Sequence, residues 1–154
     1  MNISDYAAER PVFDFKTYFN GPIKAWGIVQ NRSGKVIKRF TVDIDAKWNG
    51  DVGTLDESFV YADGTTERRV WTVRKGDSGR YIGTARDVVG EAVGETAGNA
   101  LRWRYVLAVP VDGKTYNVDL DDWMFLMSDR VLLNRTTMTK FGFGVGEITI
   151  TFTK

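Results

Sequence analysis

The chain has 154 residues, 43% hydrophobic and 27% charged, with 21 Lys and Arg against 20 Asp and Glu for a formal charge of +1. That length fits one domain, which buries roughly 70% of its unfolded surface and needs no metal or disulfide staple. The absence of His and Cys excludes disulfides, thiol nucleophiles, a Ser-His-Asp triad and the usual zinc ligand sets, and the balanced charge argues against binding nucleic acid by phosphate neutralisation.

From the N-terminus, residues 1–16 read as an extension, with a helical turn or two over residues 4–10 and Ser4 or Asp5 as N-cap. Residues 36–48 alternate, with Val36, Phe40, Val42, Ile44, Ala46 and Trp48 on one face, interrupted once by Lys38, and Arg39, Thr41, Asp43, Asp45 and Lys47 on the other after Ile37, which is the pattern of a half-buried strand. Residues 54–61 alternate again, with Leu55, Phe59 and Tyr61 on one side. Residues 87–99 mix signals: Val88, Val89, Ala92 and Val93 fit a helix face, but Gly90, Gly94 and Gly98 would each cost about 1 kcal/mol in a helix. A strand fits better, and its small residues leave room for a neighbouring aromatic, a sharp bend or a ligand. Residues 101–109 set Leu101, Trp103, Tyr105, Leu107 and Val109 against Arg102 and Arg104. Residues 115–120 set Tyr116, Val118 and Leu120 against Thr115, Asn117 and Asp119, and the last segment sets Ile148, Ile150 and Phe152 against Glu147, Thr149 and Thr151.

Hairpin chemistry punctuates these runs. Asn31-Arg32-Ser33-Gly34, Asn49-Gly50, Asp63-Gly64, Ser78-Gly79 and Asp112-Gly113 supply the residues that tolerate the positive φ of tight antiparallel turns. Sequential long strands joined by short hairpins close most simply into an up-and-down β-barrel, so the fold class is all-β, an antiparallel meander barrel occupying residues 1–154. No stretch is long and apolar enough to be a transmembrane segment, and the first residues carry no secretory signal. The chain as given therefore reads as cytoplasmic, or as belonging to the cell envelope if a lipoprotein leader has been removed.

Several motifs have ordinary explanations. Gly142-Phe143-Gly144-Val145-Gly146 lacks the spacing and following helix of a phosphate loop and reads as a hairpin turn. Asp43 and Asp45 with Asn49-Gly50-Asp51 partly match a calcium loop, but Lys47 and Trp48 stand at the wrong positions. No metal site or cofactor is expected. Asp119, Asp121 and Asp122 could do acid–base work, but a solvated strand end with a bulge explains them as well. Arg102-Trp103-Arg104-Tyr105 interleaves charge with aromatics, yet on a strand these alternate faces and cannot form one stacking surface for single-stranded nucleic acid.

Five tryptophans (Trp26, Trp48, Trp71, Trp103 and Trp123) are a heavy load for a small domain. They serve either as core or as the walls of a cavity. An eight-stranded barrel has an interior just large enough to be filled or to hold one small ligand. Arg69, on the same face as Trp71, would orient such a ligand.

The motifs Tyr18-Phe19-Asn20-Gly21, Ala25-Trp26-Gly27, Arg69-Val70-Trp71, Gly98-Asn99-Ala100-Leu101, Asp122-Trp123-Met124 and Lys140-Phe141-Gly142, in this order, resemble the bacterial family called domain of unknown function 3833 across about residues 5–153. The resemblance implies a lipocalin-like (calycin) barrel, often carried on a lipoprotein, with no established activity. This chain has neither the lipoprotein signal nor the lipidated Cys. The wider lipocalin pattern also implies an Arg from a late strand packing over a first-strand Trp, which would pair Arg135 with Trp26.

The sequence thus points to a barrel binding a small apolar or amphipathic ligand, with Trp71, Trp103, Tyr105 and Trp26 as cavity walls and Arg69 and Arg135 as polar anchors. An alternative is a filled barrel acting as a structural or interaction protein, which predicts no internal pocket and a contiguous exposed apolar patch. An enzyme built on Asp119, Asp122 or Glu147 would need strongly perturbed acids in a cleft, and the chain is expected not to be an enzyme.

Overall fold

A computed structural model describes residues 1–154. Ten antiparallel strands, β1 (Gly21–Asn31), β2 (Val36–Asn49), β3 (Val52–Tyr61), β4 (Thr66–Lys75), β5 (Arg80–Thr84), β6 (Val88–Ala97), β7 (Ala100–Val111), β8 (Lys114–Leu126), β9 (Val131–Lys140) and β10 (Phe143–Thr153), pair in sequence order, and β10 returns to β1. Each strand follows its neighbour through a short hairpin and the sheet closes on itself, although Thr66–Trp71 of β4 extend past the short β5 and pair with β3 alone. Ten strands make a wider tube than eight, which matters for what the interior holds.

The alternation read from the sequence is the inside–outside alternation of the wall. Val42, Ile44 and Ala46 face in on β2, and Trp103 faces in on β7 while Arg104 faces out to Glu95. β6 is a strand with one irregularity: between Val89 and Val93 its register against β7 slips, and Gly90 takes φ +69° at the bulge. Gly94 lies beneath a ring, since a Cβ there would sit 2.5 Å from Trp103, and a Cβ on Gly83 of β5 would meet the other edge of the same indole at 2.5 Å. The small residues of this region are therefore the seat of Trp103 and the site of a bend.

The N-terminal segment differs from its sequence reading. Its first turn is a 3-10 helix over Ile3–Tyr6, with Asn2 as N-cap and the Asn2 N–H donating to Asp5 at 2.9 Å, in place of a helix over 4–10. Tyr6 lies on the outer wall, edge-on to Trp123 and Phe125 at 5.7 and 5.1 Å. The chain then crosses one end of the barrel, and a single turn of helix, α1 (Phe15–Tyr18), plugs it. Phe13, Phe15, Tyr18 and Phe19 are all buried in the core with Trp103 and Phe152. The plug is fastened by hydrogen bonds from the Trp48 indole N–H to the Phe19 carbonyl (2.7 Å), from the Tyr18 hydroxyl to the Arg130 carbonyl (2.9 Å) and from the Phe13 N–H to the Gly98 carbonyl (2.8 Å). No helix is long and apolar enough to cross a membrane.

Candidate functional site

With one end plugged, the barrel is a cup. Its interior holds a cavity of about 460 Å³, floored by Phe15, Phe19 and Trp103 and walled by Phe40, Val42, Leu55, Phe59, Trp71, Tyr105, Leu107, Ile148 and Ile150. Val29, Lys38, Val109, Pro110 and Met138 stand toward the mouth. The barrel is therefore not filled, and most of the cavity lining is hydrophobic.

A group of ionisable side chains interrupts that apolar wall. Arg69 on β4 faces inward two residues before Trp71 and opposite Glu57 of β3. Asp87, from the β5–β6 connection, accepts hydrogen bonds from Arg69 Nη2 (2.7 Å) and Nε (3.0 Å), and Glu67 accepts another from Nη2 at 3.1 Å. Glu67 also accepts the Tyr61 hydroxyl proton at 2.9 Å, while the Arg69 guanidinium lies 5.4 Å over the Phe59 ring. Burial would raise the Asp87 carboxyl, but hydrogen bonds and charge from Arg69 hold it below the usual carboxylate range. Burial disfavours the Arg69 cation, yet the surrounding Asp87 and Glu57 hold its pKa above the ordinary value.

Glu57 is placed differently. Burial pushes its carboxyl from 4.5 up to about 7, against the pull of Arg69 and the Trp71 indole. Arg69 is already engaged by Asp87 and Glu67, so Glu57 shares a cation that two other carboxylates hold more closely. On β8, Asp122 is 6% exposed and accepts a hydrogen bond from Asn134 Nδ2 of β9. Burial raises its pKa well above the normal carboxylate value, against the pull of the Thr136 hydroxyl. Tyr105 stands edge-on to Trp71 at 5.2 Å; burial, and then the nearby Asp122, raises its hydroxyl pKa. The interior thus presents four carboxyl groups (Glu57, Glu67, Asp87 and Asp122) to one guanidinium, with Lys38 toward the mouth.

Of the six residues selected from the sequence, the structure brings four into this cavity: Trp71, Trp103, Tyr105 and Arg69. Trp26 and Arg135 are corrections. Trp26 is 46% exposed on the outer wall, because Ile23 and Ala25 take the inward positions of β1 and Gly27 keeps a third beneath the Phe40 ring. Arg135 also points out, with its side chain 66% exposed and paired to Glu147, because Asn134 and Thr136 are the inward residues of β9. The expected Arg135–Trp26 pairing does not form, since β10 lies between their strands.

The solvated-end reading of the aspartates needs the same kind of correction. β8 pairs with both neighbours without a register break, so Asp121 faces out to Arg102 at 2.8 Å and Asp122 faces in. Glu57 is the residue the sequence reading passed over. It lies between Leu55 and Phe59 on the inward face of β3, and its parity was the available signal. No three His, Cys, Asp or Glu side chains gather so as to hold a metal ion.

Two solved structures have similar folds. A Nostoc punctiforme protein of unknown function from the DUF3598 family superposes with a TM-score of 0.63 at 13% identity, covering 96% of this chain and 51% of that one, so the chain spans about half its length. An S-type phycobiliprotein lyase from Guillardia theta superposes with a TM-score of 0.64 at 8% identity, covering 89% and 88% of the two chains. No curated protein matches the sequence. A cup-shaped meander barrel is thus shared with proteins of very different sequence, whereas the family match is made by the sequence itself and runs the whole length: over residues 1–154 the chain belongs to the DUF3833 family, proteins of unknown function.

Proposed function

We propose that this protein is a non-enzymatic binding protein that holds one small amphipathic molecule in the barrel, its apolar part on the aromatic and aliphatic wall and its polar group at Glu57 and Tyr105. The observation that carries this reading is the cavity. Its volume of about 460 Å³ lies in the range of small-molecule pockets, and its few polar groups converge on one region of an otherwise apolar surface. A core kept only for stability would close this space, because unfilled volume weakens packing.

The polar chemistry selects the class of ligand. Four carboxyl groups face one guanidinium that two of them already engage, so an anionic headgroup in the interior would meet carboxyls, and the other cation of the lining, Lys38, lies toward the mouth over the Tyr61 ring at 5.5 Å. A protonated amine, or a group rich in N–H donors, supplies what Glu57 lacks. A similar barrel is a phycobiliprotein lyase in Guillardia theta; that likeness is one of fold, and the ligand reading rests on the cavity.

The test has two arms. Purified protein is extracted with organic solvent and the extract examined by mass spectrometry, and the protein is titrated with dodecylamine and with dodecanoate while Trp71 and Trp103 report by fluorescence. The expected result is saturable quenching by dodecylamine, at least about tenfold tighter than by dodecanoate and abolished by the cavity-filling change Ile150→Trp. An empty extract together with no saturable response to either amphiphile overturns the reading.

A further inference from the structure

The mouth of the cup is two-sided. The β1–β2, β7–β8 and β9–β10 hairpins belong to consecutive strands of the barrel, in the order β2, β1, β10, β9, β8, β7, and so stand side by side on one arc of the rim. Pairing between β1 and β10 stops at Asn31 and Gly146, so Phe143–Val145 rise above the neighbouring strand, Phe143 and Gly144 paired with β9 alone and Val145 at a bulge. On this arc Phe141 is 84% and Phe143 68% exposed, and Val36, Ile37, Val111 and Val145 are exposed as well. Residues 31–38, 111–116 and 140–146 carry Arg32, Lys35, Lys38, Lys114 and Lys140 against the single carboxylate Asp112. The opposite arc, residues 61–67 and 84–88, sets Asp63, Glu67 and Asp87 against the single cation Arg86 and has only Ala62 and Ala85 at its tips.

The backbone supplies a second, independent observation. The β7–β8 turn, Asp112-Gly113, and the β9–β10 turn, Phe141-Gly142, have the same left-handed conformation, with φ of 50° and 80° in the first and 52° and 78° in the second. Asp-Gly is an ordinary solution for such a turn, whereas a bulky side chain at positive φ is strained. The chain thus holds a phenyl ring in a disfavoured backbone conformation and places it in water, where it gains no burial. Lys140 lies over this ring at 4.6 Å and over Tyr116 at 4.8 Å, joining the two protruding hairpins.

We propose that this arc is a membrane-docking surface, on which Phe141 and Phe143 insert into the interfacial layer of an anionic bilayer while the five cations meet its lipid headgroups. Exposed aromatics inside a basic fringe match the chemistry of that surface, where apolar insertion and headgroup attraction act together. Docking would set the cavity mouth against the lipid. The inference goes beyond ligand binding and does not depend on it.

The protein is cosedimented with vesicles of phosphatidylcholine containing about one-third phosphatidylglycerol, and with phosphatidylcholine alone, at low and high salt. Retention by the anionic vesicles is expected to weaken with salt, to fall about tenfold in F141N/F143T and to fall at least about a hundredfold in K35E/K114E/K140E. Thermal melts confirm that both variants fold, and the mass of any extracted species should not change in F141N/F143T. No retention by anionic vesicles, equal retention by neutral ones, or full retention of F141N/F143T overturns the proposal. So does a dimer in solution that F141N/F143T dissolves without any vesicle binding, because the patch would then face a second copy of the chain.

Discussion

The two ends of the barrel interior are built from the same alternating strands, yet they are finished in opposite ways. At the plugged end, aromatic rings contact one another, with Phe15 at 4.7 Å from Phe19, 4.9 Å from Tyr81 and 5.9 Å from Trp103. The polar tips there are met: Tyr81 donates to Asp14 at 3.1 Å, and Tyr18 and Trp48 donate to main-chain carbonyls. Toward the mouth the same wall surrounds open space, and Glu57 and Asp122 carry raised pKa values there. The difference teaches where stability and function reside. One end spends its inward positions on close packing, while the other keeps unfilled volume and carboxyls whose charge is disfavoured by burial, which are costs unless something occupies them.

The sharpest way to break that contrast is to hollow out the plugged end. Phe15→Ala removes the ring that bridges plug and wall, and large-to-small changes of this kind cost about 3–5 kcal/mol. Chemical denaturation should show that loss. The same change opens the cavity floor, since Phe15 is part of it, so dodecylamine affinity measured by fluorescence should fall with stability.

Next in size is the polar group itself. Arg69→Met leaves Asp87 and Glu67 without their shared cation in a mostly apolar enclosure. Breaking a buried pair from one side costs about 3 kcal/mol or more, and the loss should be read as a shift of the denaturation midpoint. If R69M is as stable as the parent, the group is hydrated enough to need no pairing, and the cavity is wetter than its lining implies.

How far this site could be read from the sequence depended on parity. Trp103 and Tyr105 alternate with Arg102 and Arg104, so their inward direction was plain, and Leu107 continued their parity. Arg69 inherited its direction from Trp71. The method failed where inward residues were themselves polar or small. Asn134 and Thr136 disguise the inward face of β9 and left Arg135 as the apparent candidate, and Gly27 under Phe40 did the same for Trp26 on β1. Glu57 and Asp122 were hidden by the ordinary expectation that carboxylates face water, although Leu55 and Phe59, or Leu120 and Met124, bracket them on the buried side. Asp87 lies in a connection, where no periodicity applies. The plug was the least legible part, because Phe13, Phe15 and Phe19 follow no strand pattern and their burial is decided by the end of a barrel formed far along the chain.

A smaller effect separates the two ends by pH. The folded protein holds the Glu57 proton up to about pH 7, against an ordinary value of 4.5. The folded state therefore binds more protons than the unfolded state between these values, and stability falls as pH rises through that window. Glu57→Gln removes the titration. The variant should match the parent near pH 4.5 and exceed it at pH 8 by about 1–3 kcal/mol, measured by denaturation at both values. Asp122 contributes in the same sense to both proteins, and because the Glu57 charge helps to raise it, the difference reads Glu57 together with its coupling to Asp122. A protonated amine bound beside Glu57 should narrow the gap at pH 8.

The smallest effect lies at the rim and has the opposite sign. Phe141 occupies the first central position of a turn that prefers Asn or Asp, with φ 52°, and its ring is exposed. Phe141→Asn exchanges a strained residue for one that tolerates left-handed backbone, and only the exposed contact of Lys140 with its ring is lost. The expected gain is about 0.5–1 kcal/mol, a rise in melting temperature of roughly 1–4 °C for a chain of this length. In the plugged end an aromatic is kept because it holds the fold together, so its removal destabilises. At the mouth an aromatic is kept although the fold would be more stable without it. A variant that melts higher and leaves anionic vesicles more readily would show that the strain at Phe141 is maintained for contact with a surface. A variant that melts lower would mean that Phe141 supports its own hairpin, and the contrast between the two ends would lose its strongest term.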